Sequence, residues 1–305
     1  MEDIVSILST TLRLTTPIAF ATLGAVVMEL AGINALATEG IMLSGAFGAV
    51  IGSWISGSPW IGVVFAILFS VIVGLIRSYL CIEHQANHTV SGVGLNILAS
   101  GFTAMMLKII WNMDGKSDVV TNLKDWSIPL IKDIPVIGDI LGKQNPLVYI
   151  LFPTLLIVWY LISRTSFGLR LMTAGEHPEV LSSLGISVSK YRYLATILGA
   201  TLIGLGGAYL AIGQLSFFAQ DMTSGRGYMA LAACVFGRWS PIGAFGGALL
   251  FGFADAMQMR LQTVVTYTQF IQMMPYILTI LVLSSFVKKD IQPPAASGKP
   301  YKAQQ

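Results

Sequence analysis

Charge is what this chain of 305 residues has least of: 18 Lys and Arg with 15 Asp and Glu make up 11% of it, under half the usual share in a soluble domain. With hydrophobic residues at 54% and a mean hydropathy of +0.73, a water-soluble globule is excluded and an integral membrane protein is expected. Cysteine is also scarce. Cys81 and Cys234 sit in or beside apolar runs, too few for a disulfide framework, and read as free thiols. Cys81, His84 and His88 form C-x2-H-x3-H, but no fourth ligand is apparent, so no metal is expected and the loop histidines should meet water or lipid headgroups. No stretch matches the GxxxxGK[ST] phosphate loop, and Gly204, Gly206 and Gly207 lie mid-run with no strand before them. This chain is therefore not expected to bind ATP or any other cofactor itself. Ser297-Gly298-Lys299, in a Pro- and Ala-containing tail, reads as linker. The start, MEDIVSILSTTLRL, has no basic leader and no small-residue cleavage pattern, so no removable signal peptide is expected. A net charge of +3 implies no nucleic-acid partner.

What is present is a series of apolar segments, at about 14–33, 40–56, 60–80, 90–111, 147–163, 193–213, 226–238, 241–257 and 270–287. Crossing a bilayer core takes roughly 20 residues, so the seventh is too short for a straight span and the second and eighth are borderline. Eight to ten transmembrane helices are expected, some of them half-helices or re-entrant pieces. Residues 114–143 hold five Asp and four Lys, whereas 164–192 hold four Lys or Arg against two Glu, and the tail carries Lys288, Lys289, Lys299 and Lys302. By the positive-inside rule, 164–192 and the C-terminus face the cytoplasm, 112–146 faces outward and, with nine crossings, the N-terminus lies outside. The same count gives four segments, one linking span and four more in the opposite direction, an inverted repeat. Glu39-Gly40-Ile41-Met42 before the second segment echoes Arg226-Gly227-Tyr228-Met229 before the seventh. Transporters built this way bind substrate near the midplane, where interrupted helices meet. Glycine, at 31 residues, is read first as helix packing and second as pore lining.

Between the uncharged runs 144–163 and 193–220 lies a polar stretch, SRTSFGLRLMTAGEHPEVLSSLGISVSKYR, from Ser163 to Arg192. Pro178 suits a first helical position, Glu176 and Glu179 sit near the positive dipole end, and Gly185 can stop the helix. A helix of about two turns follows, with Val180, Leu181 and Leu184 on one face, too short to hold in water unless that face is packed.

AGEHPEVLSSLGIS (Ala174–Ser187), followed by Lys190 and Arg192, resembles the coupling loop of membrane permeases in bacterial ATP-binding-cassette importers. NALATEGIMLSGAFGAV (Asn34–Val50), ANHTVSGVGLNILASG (Ala86–Gly101) and Ser224–Gln262 are similar to the branch serving ribose, nucleosides and related compounds, and closest to its nucleoside permeases; Arg238 departs from the pattern. The resemblance covers roughly 14–287. It implies an all-α polytopic permease domain over 1–287, with a first repeat at 14–111, a linking span at 147–163, the coupling loop at 164–192, a second repeat at 193–287 and a cytoplasmic tail at 288–305. It also implies residence in the bacterial cytoplasmic (inner) membrane, a second permease chain or copy, cytoplasmic ATPase subunits carrying the ATP and Mg, and an external binding protein. Gly175, Glu176, Pro178, Val180, Leu181, Leu184 and Gly185 would form the ATPase-coupling element.

For the pathway the sequence offers Glu39, Asn96, Gln214, Phe217, Phe218, Gln220, Tyr228 and Asp255. A nucleoside presents a flat base to stack and hydroxyls to hydrogen-bond. Against that, Asn96 suits an interhelical tie, and Phe217, Phe218 and Tyr228 suit an interfacial aromatic belt. Asp255 interrupts an uncharged run, with Gln258 and Arg260 near enough in sequence to satisfy it. Trp54 and Trp60 flank the turn signal Gly57-Ser58-Pro59 and read as interfacial anchors. Simple sugars, a riboflavin-like vitamin or a signalling sugar remain alternative substrates. From another class, an ion-coupled secondary transporter would need a coupling-ion site of its own, and an intramembrane enzyme lacks a nucleophile and base pair.

Overall fold

A computed structural model describes residues 2–127, 142–262, 273, 277, 280, 292–299 and 301. The ninth apolar segment, 270–287, and the Lys288-Lys289 start of the tail lie outside the described residues apart from those single positions. The helices are α1 (Glu2–Leu30), α2 (Thr38–Ser56), α3 (Pro59–Ile82), α4 (His88–Trp111), α5 (Pro146–Arg164), α6 (Ser166–Glu176), α7 (Pro178–Ser183), α8 (Val188–Ala208), α9 (Arg226–Phe236) and α10 (Pro241–Gln262). Tyr209–Leu215 continues α8 as a π-helical turn. Two short antiparallel strands, β1 (Trp126–Ser127) and β2 (Lys143–Gln144), pair with Trp126 opposite Gln144. Among the described residues six helices are long and apolar enough to cross a membrane: α1, α3, α4, α5, α8 with its π-helical turn, and α10. The chain is thus a multi-pass, all-α membrane protein.

The helix limits follow from local chemistry. Asn87, Asn145, Thr165 and Ser187 accept backbone N–H bonds at the starts of α4, α5, α6 and α8. Pro59, Pro146 and Pro178 occupy first helical positions, where no N–H is needed. Gly57 takes a φ of 69° and closes α2, turning the chain into α3.

The first segment, expected from residue 14, starts at Glu2 and becomes the centre of the bundle, packed on α8, α9, α10 and α5. Two of its buried threonines spend their hydroxyls inside the helix, Thr16 on the Leu12 carbonyl and Thr22 on the Ile18 carbonyl, whereas the buried Thr15 hydroxyl bonds no described group. Close backbone approach is what glycine supplies. Gly24 of α1 and Gly199 of α8 each face the other's carbonyl, Gly207 of α8 faces the Met42 carbonyl of α2, and Gly252 of α10 faces Thr15 of α1. Where lipid is as apolar as the side chains, such approach recovers dispersion energy that burial from water does not provide. Gly246, by contrast, has open space beside it.

The polar stretch 164–192 holds two helices where one was expected. α6 was not anticipated, because its sequence SFGLRLMTAGE carries neither a strong start nor a strong stop. The reading of Ser297-Gly298-Lys299 as a free linker is corrected: residues 294–299 fold back onto the bundle, with Gly298 N–H on the Gly32 carbonyl at 3.1 Å and Ala296 N–H on the Gly175 carbonyl at 2.8 Å. The histidine expectation is corrected for His88, while His84 is exposed. His88 begins α4 fully inside the protein, with neither ring nitrogen bonded to a described group, and His84 packs edge-on against Tyr79 at 5.0 Å.

Gly207→Val should cost about 1–3 kcal/mol through overpacking against α2, whereas Gly94→Ala, with nothing near its Cβ, should be neutral. Unfolding midpoints of the two purified variants in detergent check this.

Candidate functional site: two facing helix starts and the 164–192 loop

α2 and α9 both begin inside the bundle, not at its surface. Thr38, Gly40 and Ile41 at the start of α2 and Gly227 at the start of α9 are buried. A helix start carries unsatisfied N–H groups and partial positive charge, and in an apolar setting those groups need an acceptor from the protein. For α9, Glu39 is that acceptor. Placed in the first turn of α2, its carboxylate takes bonds from Thr223 Oγ1 at 2.6 Å, Gly225 N–H at 2.8 Å and Gly227 N–H at 2.7 Å, and so caps α9. The geometry needs glycine twice. Gly225 has a φ of 83°, following Ser224 at 46°, and a side chain at Gly227 would occupy the Glu39 backbone itself.

Asn96 of α4 completes the junction. Its Oδ1 accepts the Gly40 N–H at 2.8 Å, and its Nδ2 donates to the Leu36 carbonyl and to Tyr228 Oη, both at 2.9 Å. Every hydrogen-bonding capacity of the amide except one lone pair is used, so Asn96 ties α4 to the starts of both helices. Asp255 on α10 borders the junction through Arg226, the first residue of α9, whose charge acts on it. Tyr228 is half-exposed and offers a phenol ring beside this polar knot.

The other pathway candidates belong elsewhere. Phe218 is fully buried and packs edge-on to Phe47 at 5.2 Å, which corrects its assignment to either a pathway or an aromatic belt. Phe217 and Gln220 lie in a stretch pinned to residues 115–123: Ser117 N–H bonds the Phe218 carbonyl at 2.9 Å and Gln220 N–H the Gly115 carbonyl at 2.8 Å. Gln214, on the π-helical turn, donates to the Arg13 carbonyl and lines a separate polar cavity of about 560 Å³ with Arg13, Lys124, Asn145 and Tyr209. π-turns recur at functional sites, but no bond joins this one to the Glu39 junction.

In the 164–192 loop, α7 runs for six residues from Pro178, and Gly185 follows it with a φ of 73°. Its apolar face divides. Leu181 is 2% exposed and packs with Ala174 and Val188, whereas Val180 at 52% and Leu184 at 69% stand in the open. Grouping all three on one outward face is therefore corrected: burying Leu181 supplies the roughly 1.5–3 kcal/mol that holds so short a helix to the bundle. Pro178 is buried beside it, and Glu176 accepts the Ala295 N–H at 3.0 Å. Gly175 lies against the Leu30 carbonyl, where any side chain would collide.

Sequence reasoning passed over Glu29 and Arg77. Both are buried, and they interact electrostatically across the end of the bundle nearest α7. Each is a lone charge in an apolar segment, and that was the available signal. Arg192 joins them there, its Nη1 3.4 Å from the Lys299 carbonyl.

Residues 7–283 match the family described as branched-chain amino acid transport system / permease component. The nucleoside ABC transporter permease protein NupC of Lactococcus lactis subsp. cremoris is 34% identical over 291 residues, covering 92% of this chain and 92% of its own. The guanosine ABC transporter permease protein NupQ of Bacillus subtilis is 35% identical over 314 residues, covering 98% of each. Among solved structures, an ABC transporter described as metal-chelate type, in an inward-facing conformation, aligns with a TM-score of 0.54 at 16% identity over 92% of this chain and 85% of that one, a likeness of fold.

Glu39→Gln replaces a charged acceptor with an amide whose donors face other donors, and should destabilise the protein by about 2 kcal/mol or more. Exposed Gln220→Ala should stay within about 0.5 kcal/mol. Reversible unfolding in mixed detergent micelles compares the two.

Proposed function

The chain belongs to the family of branched-chain amino acid transport system permease components, and from that membership we propose that it forms the translocation pathway for a nucleoside in an ATP-binding-cassette importer. The membership makes it a transport subunit and not an enzyme, with ATP hydrolysed by a separate subunit. The single observation that carries the substrate is near-full-length identity of 34% and 35% to permeases named for nucleosides and guanosine.

In this reading the protein sits in the bacterial cytoplasmic membrane, paired with a second permease chain or copy. It receives solute from an external binding protein and is driven by cytoplasmic ATPase subunits that hold the ATP and Mg; the chain itself carries no cofactor. Exposed Val180 and Leu184 dock in the ATPase groove, while Leu181 and Pro178 keep α7 attached to the bundle. The division of the α7 face supports this, since a helix must be gripped from behind if a partner is to push it. At the other end of the mechanism, Glu39, Asn96 and Tyr228 mark where two half-helices meet, the place at which transporters with repeated halves hold their substrate. Tyr228 supplies a ring for a base, and Asn96 and Glu39 supply acceptors for hydroxyls when the junction opens. Binding of a ligand there competes with the bonds that hold α9 to α2, which keeps affinity low and release easy.

ATP-dependent guanosine uptake into proteoliposomes holding the permease, its ATPase and its binding protein tests the substrate; equal uptake of ribose and no guanosine uptake would defeat it. Within that assay Leu184→Asp should insert normally and lose solute-stimulated ATP hydrolysis by about tenfold or more, the scale of losing a central interface anchor of about 1.4 kcal/mol or greater. Leu181→Asp should instead lower the amount of folded protein, because it buries a charge inside the chain.

A further inference from the structure

The sequence Gln292-Pro-Pro-Ala-Ala-Ser-Gly-Lys299 is poor in apolar surface, yet it is held at five points to three separate parts of the protein. Pro294 is buried, the Pro294 carbonyl accepts the Ser297 N–H at 2.8 Å, and Gly298 turns with a φ of 69°, so the segment has a defined shape. It bonds the 164–192 loop through Ala295 N–H to Glu176 Oε2 at 3.0 Å and Ala296 N–H to the Gly175 carbonyl at 2.8 Å. It bonds the end of α1 through Ser297 Oγ to Glu29 Oε2 at 2.8 Å and Gly298 N–H to the Gly32 carbonyl at 3.1 Å. The Lys299 carbonyl receives Arg192 of α8. All of this converges on Gly32, where an added Cβ would meet Arg192, Ala296 and Gly175 together.

We propose that residues 292–299 are a strap that ties the α7 loop to the end of α1, so that a force applied to α7 reaches Glu29 through Glu176 and Ser297. The inference rests on the reading that α7 is where the ATPase docks. Without the strap, α7 connects to the bundle through the covalent chain into α8, the Leu181 contact and α6, which packs on α1, α5 and α8 with Gly175 against Leu30. With it, the loop is joined by hydrogen bonds to a buried carboxylate on the central helix. Glu29 is well placed to pass that force on. It also accepts the Ala35 N–H at 2.7 Å in the turn leading to α2. The first turn of α2 carries Glu39, so the strap joins the docking loop to one of the two helices that frame the junction. Ser297 and Glu176 are positioning residues in this scheme and touch no solute. A groove of about 210 Å³ between α7 and the strap, lined by His177, Pro178, Glu179, Ala295, Lys299 and Tyr301, makes the strap part of the surface a docked subunit meets.

The test uses the whole complex in proteoliposomes and reads solute moved per ATP hydrolysed beside hydrolysis without solute. Ser297→Ala should keep basal hydrolysis and lower the transport ratio about fivefold, Ser297→Thr should restore it, and ending the chain after residue 291 should lower it further. A loss of packing alone would reduce folded protein without changing the ratio per complex. Ratios equal to the parent in both Ser297→Ala and the shortened chain overturn the strap; if the shortened chain does not insert, the Ala and Thr variants decide. Should the strap variants be silent while Leu184→Asp still abolishes stimulation, the docking reading stands and the strap alone falls. If Leu184→Asp is silent too, the docking reading fails and takes the strap with it.

Discussion

Helices that start in the middle of a membrane protein must find acceptors for their first N–H groups inside the protein, because the hydrocarbon supplies none. The arrangement of this permease follows from that constraint. α2 and α9 start within the bundle and face each other: the Glu39 carboxylate in the first turn of α2 accepts the N–H groups of Gly225 and Gly227 at the start of α9, and Asn96 accepts the Gly40 N–H of α2. Glycine at 227 is then required, because any side chain there would meet the Glu39 backbone. A set of bonds of this kind is strong when complete and costly when half made.

The neighbouring 164–192 loop solves a different problem with similar means. α7 has six residues and cannot persist alone, and it must still present Val180 and Leu184 to water. Leu181 and Pro178 hold it from within, and the 292–299 segment holds its flank through Glu176. Glu29, Arg77, His88 and Arg192 lie buried behind this region. Ionisable groups so placed are expensive in a membrane protein and stay buried only where other groups or the fold compensate them.

Most of the architecture was legible in the sequence. Uncharged runs located the helices to within a turn or so in most cases, the eleven-residue α9 was visible as a segment too short to cross, and Pro178 with Gly185 bounded α7. The echo of Glu39-Gly40 in Arg226-Gly227 pointed to the two helix starts that meet. Less legible were features that depend on direction around a helix or on distant partners. Leu181 and Leu184 are chemically identical and three residues apart, so only packing distinguishes the gripped one from the free one. Phe217 and Phe218 are adjacent and aromatic, yet Phe218 alone meets Phe47 in the core.

By itself the sequence determined the class of protein, the bounds of α7 and the family, because each of these follows from local composition and short-range spacing. The tertiary structure alone decided that Glu39 caps a helix 187 positions away by bonds at residues 225 and 227, that α1 is central, and that a Pro- and Ala-containing tail is bound rather than loose. The physical reason is common to all three. A backbone N–H without a partner inside its own segment takes whichever acceptor the fold brings near, and no local pattern records which one that will be.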